Sequence, residues 1–206
     1  MWTRLNISIA VLIIFHVAGI GGILLGDPAS FLRLTPLNLL LTLLLILFNH
    51  LDWKKAWILG LTFIIGFLME VVGVNTGVPF GVYSYGPVLG PKLWETPWII
   101  GVNWLILLYG ANAIARRFAM TPWAQALTAA GLMVVLDYLI EPVAIRFDFW
   151  TWEAGTPPLM NYIGWFATAC GLSLVWQYGR IQLNTRMAYA VYATELIFFG
   201  IVNLLP

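Results

Sequence analysis

Charge is what this chain has least of. Only 9% of its 206 residues are Asp, Glu, Lys or Arg, against 61% hydrophobic. A soluble domain carries roughly a quarter charged residues, so the chain reads as an integral membrane protein. The net charge of +1 gives no reason to expect nucleic acid as a partner. Cys170 stands alone, which excludes an intramolecular disulfide and any Cys-based metal or redox motif. His16 and His50 are too few for the His-rich boxes of a di-iron desaturase or hydroxylase. No lysine follows Lys92, so the last helix cannot form a retinal Schiff base. Phosphate loops and Ser-His-Asp arrangements are missing too. A lone Asp137-x-x-x-Glu141 is poor support for the paired Asp-rich clusters that hold magnesium diphosphate in membrane prenyltransferases. Neither a metal nor an organic cofactor is expected.

What remains is long apolar runs. A spanning helix needs about 20 mostly apolar residues, and seven segments come close: about 5–25, 36–49, 56–75, 97–115, 122–145, 158–178 and 187–205. The reading is an all-α membrane protein, a bundle of about seven transmembrane helices forming one domain over 1–206. No small-residue cleavage pattern follows the N-terminal run, so 5–25 is expected to be a membrane helix and not a signal peptide. Thr35-Pro36, Thr96-Pro97, Thr121-Pro122 and Thr156-Pro157 each open an apolar run. Thr can cap free N–H groups there, and Pro at the first helical position loses no bond. Of the ten basic residues, Arg4, Lys54, Lys55, Arg116, Arg117, Arg180 and Arg186 fall on one side; Arg33, Lys92 and Arg146 fall on the other. That imbalance predicts a cytoplasmic N-terminus in the cell membrane, with loops 75–96 and 146–157 on the outer face. Ala18, Gly22 and Gly26 form a small-residue ridge suited to close helix approach.

Four acids lie within spans: Glu70, Asp137, Glu141 and Glu195. An ionised acid at mid-bilayer costs on the order of 2.5–3.5 kcal/mol, so such groups face a cavity, pair, or stay protonated. Asp137 and Glu141, four apart, share a helix face, and Pro142 should kink or end that helix. Two carboxyls held close in a poorly solvated site leave one as a neutral acid able to donate a proton. Glu70 lies near the same outer end and could join them. The competing reading is a salt bridge from Arg146 to Glu141. Glu195 stands alone mid-helix, and hydrogen bonding to a neighbouring helix accounts for it, as it does for His16.

A faint repeat organises the chemistry. Glu70, an aromatic-glycine loop, Pro97 and Trp104 are matched by Glu141, the loop FDFWTWEAGTP, Pro158 and Trp165. Trp53, Trp57, Trp123 and Trp176 need only an interfacial role. Phe80, Tyr83, Tyr85, Trp104, Trp150, Trp152 and Trp165 are interleaved with Gly, Pro, Asn and acids, as in a cavity lining where irregular backbone is tolerated. Their faces could stabilise a cation. Asn75, Asn103 and Asn161 could hold water or a carboxyl.

The ordered set GFLMEVVGVNTGVPFGVYSYGPVLGP, PWIIGVNW, LDYLIEPVA and FWTWEAGTPPLMNYIGW, over about residues 60–170, resembles the membrane carotenoid hydratases, the family of the bisanhydrobacterioruberin and γ-carotene 1′,2′-hydratases. The resemblance implies addition of water across the C1–C2 double bond of an acyclic carotenoid end, with a carotenoid substrate met in membrane lipid. The residues fit that chemistry. Glu70, Asp137 and Glu141 would be the catalytic acid and bases, the three asparagines would position them or the water, and the aromatics would line the substrate pocket. A membrane carotene cyclase also begins by protonating a polyene end and is the nearest rival. A carotenoid or lipid binder, or a small transporter, is the rival of another class; a transporter should spread its acids toward both faces.

Overall fold

The computed structural model describes residues 2–118 and 121–205. Helices α1 (Arg4–Leu25), α3 (Thr35–Phe48), α4 (Trp57–Thr76), α5 (Ile99–Phe118), α6 (Pro122–Arg146), α7 (Leu159–Gly179) and α8 (Thr185–Leu204) run back and forth, with a short α2 (Pro28–Leu32) after α1. Among the described residues seven helical stretches are long and apolar enough to cross a membrane, the second formed by α3 with the end of α2. The protein is therefore an all-α, multi-pass membrane protein, and each of its seven long helices begins and ends within three residues of its expected position.

Helix α5 is the hub, packed on by α3, α4, α6, α7 and α8 and buried along most of its length. Lipid gives helices no hydrophobic reason to associate, so close packing and polar contacts must hold them. Both are visible on α5. A Cβ at Gly101 would lie 2.7 Å from the Phe63 carbonyl oxygen of α4, and one at Gly110 would lie 2.8 Å from Tyr192 of α8. At the other end Arg116 donates to Gln177 Oε1 (2.7 Å) and to the Trp176 and Ile181 carbonyls (2.9 and 2.5 Å). Those carbonyls belong to the C-terminal turn of α7 and its exit, where a cation also meets the negative end of the helix dipole.

Two short ladders join the loops at the opposite end. Strand β1 (Tyr83–Tyr85) pairs antiparallel with β4 (Trp150–Trp152), in register Tyr83 to Trp152 and Tyr85 to Trp150. Strands β2 (Lys92–Leu93) and β3 (Thr96–Pro97) form the other pair. Gly86 makes the first crossing possible, because a Cβ there would lie within 1.9 Å of the Asp148 carbonyl oxygen. The loop after α4 and the loop after α6 are thus stitched together.

Several local expectations need correction. Only Thr121-Pro122 behaves as a capped start, with Thr121 accepting from the Ala124 amide at 3.2 Å. Thr35 already lies inside α3 and makes no cap, Thr96-Pro97 is strand β3, and Thr156-Pro157 precedes α7. Helix α6 continues through Pro142 to Arg146. The ridge at Gly22 and Gly26 is closely approached by the short α2, whose Phe31 ring fills it. Trp176 is buried in the bundle, donating to Thr62 at 2.7 Å, and is no interfacial residue.

Candidate active site

The β1–β4 crossing builds the site. Side chains two apart on a strand share a face, so Tyr83 and Tyr85 point inward together, as do Trp150 and Trp152, while Ser84 and Thr151 face out. Each inward pair meets the acid of its own half. Tyr83 and Tyr85 donate their hydroxyls to Glu70 Oε2 at 2.6 and 2.8 Å. Trp150 and Trp152 donate their indole N–H groups to Glu141 Oε2 at 3.0 and 2.8 Å. A third donor completes each carboxyl: Trp104 reaches Glu70 Oε1 at 2.9 Å, and Asn161 reaches Glu141 Oε1 at 3.2 Å. The halves of the faint repeat meet as two clamps built to one plan.

Asp137 is held differently. It is fully buried and receives one donor, Asn161 Nδ2, at 2.7 Å to Oδ2. Its Oδ1 is buried with no partner among the described residues. Asn161, at the start of α7, touches Asp137 and Glu141 together and so fixes the spacing expected of residues four apart on α6.

Glu70, Asp137 and Glu141 face one cavity of about 20 Å³, together with Tyr83, Tyr85, Ile100, Asn103, Trp150, Trp152, Asn161 and Trp165. That is room for a single water among ample polar partners. Trp104 and Trp165 stack behind it with ring centroids 4.3 Å apart. Gly66 permits this, since a Cβ there would lie 2.6 Å from Trp104 Cβ. Burial, reinforced by the Glu70 carboxylate, holds the Tyr83 and Tyr85 hydroxyls well above the usual phenol range, so both remain donors.

Two expected residues stand apart. Asn75 is solvent-exposed and donates to the Val71 and Trp94 carbonyls, away from the cavity. Phe80 is buried as a wedge between Gly73 and Gly164 and supports Tyr83 from behind. Arg146 does not pair with Glu141; it donates to the Val202 and Leu205 carbonyls at the end of α8 (2.8 and 2.7 Å). Glu195 makes the helix-to-helix contact expected of it and of His16, its Oε1 lying 3.3 Å from His16 Nε2. Among the described residues no group of three His, Cys, Asp or Glu converges on a position that could hold a metal ion.

Sequence reasoning missed the apolar cavity beside the acids. It measures about 360 Å³, within the range of small-molecule sites. Ile100, Asn103 and Trp150 line both cavities and form the wall between them. Phe15, Leu34 and Leu37, exposed on the outside of the bundle, rim the larger one. Its walls come from six separate helices and the loops between them, and no run of sequence announces it.

The comparisons with known proteins agree with this picture. No solved structure matches the chain. It is 29% identical over 152 residues to bisanhydrobacterioruberin hydratase of Haloarcula japonica, an alignment covering 66% of this chain and 52% of that protein. The chain therefore spans about half the length of the curated relative it matches. Residues 34–206 match the family described as carotenoid biosynthesis protein, from α3 to the end and including every residue of both clamps. The chain belongs to the carotenoid biosynthesis protein family.

Proposed function

We propose that the protein hydrates an acyclic carotenoid end group, with Asp137 as the acid and the Glu70 and Glu141 carboxylates as its counterparts. The observation that carries this reading is the unequal distribution of donors around one small cavity. Glu70 and Glu141 each accept three hydrogen bonds, which suits acceptor-only carboxylates. Asp137 has a bare oxygen, the natural seat of a proton.

The polyene lies in the apolar cavity, entered from lipid past Phe15, Leu34 and Leu37, with its end against the wall of Ile100, Asn103 and Trp150. The wall must open locally for the end group to meet Asp137, because the smaller cavity has room only for water. The Asp137 O–H bond breaks and its proton goes to C2, leaving a tertiary cation at C1. The Trp150, Trp152 and Trp165 faces and the carboxylates stabilise that charge. Water in the small cavity bonds to C1 and gives a proton to Glu141, and the asparagine amides of Asn103 and Asn161 orient it. Transfer of that proton back to Asp137, on the same face of α6, closes the cycle with no net proton gained or lost. With the orientation the basic residues favour, the site lies on the outer side of the cell membrane, where water is at hand.

Expression in cells that accumulate an acyclic carotene tests the reading, with the pigments separated and weighed. The wild type should yield product heavier by one water, and Asp137→Asn should yield none while still inserting. A product of unchanged mass and altered absorption would establish a cyclase instead, and unaltered pigment would leave a binder. Full activity in Asp137→Asn would end the acid assignment.

A further inference from the structure

The apolar cavity holds a second polar cluster that the hydration chemistry leaves unused. His16 of α1, Asn38 of α3 and Glu195 of α8 all line it, on walls that are otherwise mostly apolar apart from Thr35 and the shared Asn103. His16 comes from a helix outside the matched residues 34–206, so the family likeness does not account for it. The imidazole is fixed: its Nδ1 donates to the Leu12 carbonyl at 2.9 Å, and the Phe198 ring meets it edge-on at 5.7 Å. Its Nε2 therefore faces the cavity.

The contacts at Nε2 are poor ones. Glu195 Oε1 lies at 3.3 Å and Asn38 Nδ2 at 3.4 Å, both beyond the usual 2.7–3.2 Å range. Asn38 Oδ1 is buried with no partner among the described residues, and so is Thr42 Oγ1 one turn further along α3. A buried acceptor left bare costs about 1–3 kcal/mol. The cluster is thus short of one group that can donate to Oδ1 and also accept from Nδ2. A hydroxyl does both, whereas a keto oxygen cannot donate.

We propose that His16, Asn38 and Glu195 form a subsite for a hydroxyl group carried by the polyene. The inference rests on the reading that this cavity receives the polyene, and adds that the preferred ligand is an alcohol and not a plain hydrocarbon. The hydroxyl would sit toward mid-membrane while the reacting end lies against the Ile100, Asn103 and Trp150 wall.

Binding, measured without turnover, separates this proposal from the hydration reading. Purified protein in detergent is loaded with an acyclic polyene hydrocarbon or with its monohydroxy derivative, and the pigment retained after gel filtration is titrated. The wild type should hold the hydroxylated pigment about tenfold more tightly, the worth of roughly one hydrogen bond. In Asn38→Leu, and separately in His16→Phe, the ratio of the two affinities should fall to near one; elution at the wild-type volume verifies folding. A saturated isoprenoid alcohol should fail to displace the pigment. Equal wild-type affinities, or a ratio unmoved in both variants, would overturn the subsite while leaving the cavity reading intact. Displacement by the saturated alcohol would show a site for membrane alcohols at large and overturn the polyene assignment. Retention of neither pigment would overturn the cavity reading and the subsite together.

Discussion

Glu70 Oε2 accepts two phenol hydroxyls, at 2.6 and 2.8 Å, on a residue only 3% exposed. This arrangement predicts strong coupling between Tyr83→Phe and Tyr85→Phe. A hydrogen bond to a charged group is worth about 1.5–3 kcal/mol, and a buried acceptor stripped of every donor loses its desolvation compensation as well. Either single change leaves Oε2 one donor, so each should cost near the lower end, about tenfold in turnover at 1.36 kcal/mol per decade. The double change leaves Oε2 with none. Its cost should exceed the product of the singles, roughly a thousandfold or more, with a coupling of about 1 kcal/mol or larger. Turnover in membranes from carotene-producing cells, normalised to folded protein by fluorescence-detected gel filtration, supplies the four corners of the cycle. Additive costs, or singles within about twofold of wild type, would refute the view that the two hydroxyls jointly maintain an ionised Glu70.

Two other changes, and one further measurement on the double phenylalanine variant, test the rest. Gly66→Ala puts a Cβ 2.6 Å from Trp104 Cβ and must push that ring by roughly 1 Å to reach normal contact. The 2.9 Å bond to Glu70 then breaks, and turnover should drop about tenfold or more although no polar residue has changed. Arg146→Met removes two bonds to the end of α8 and should lower thermal stability by about 1–3 kcal/mol while turnover per folded molecule stays constant. A fall in specific activity there would restore Arg146 as a partner of Glu141. Burial raises the folded-state values of Tyr83 and Tyr85 above the ordinary 10.0, so the unfolded chain releases these protons first. Their contribution to stability is then complete below pH 10.0 and falls as pH rises through the folded-state values. Alkaline denaturation followed by circular dichroism should show that fall flattened in the double phenylalanine variant.

The spans were readable because hydropathy is a local property, and each helix of this bundle carries its own signal. Glu70, Asp137 and Glu141 were readable for a related reason: acids are too costly in lipid to be incidental. Their meeting was not readable. It depends on two three-residue strands whose paired centres, Ser84 and Thr151, lie 67 positions apart, too short to show as strands in sequence, although both alternate as inward-outward-inward. His16 and Glu195 likewise lie 179 positions apart, and only the packing of α1 on α8 brings them together. Asn75 was misplaced because proximity to Glu70 in sequence says nothing about which side of α4 a residue occupies. The competing salt bridge from Arg146 to Glu141 fails because the free carbonyls at the end of α8 take Arg146, and helix ends are invisible until the neighbour is known.

The two clamps are alike in shape but differ in chemistry. A phenol hydroxyl both gives and takes a hydrogen bond, whereas an indole N–H only gives. Glu70, held by two phenols, sits on material that can conduct a proton; Glu141, held by two indoles, is insulated on that side. A proton that reaches Glu141 has only the cavity to return to, where Asp137 shares its asparagine. On the proposed chemistry, the near-symmetry of the fold would hide a one-way partition, with the phenol-held half able to exchange protons and the indole-held half returning what it receives to the cavity.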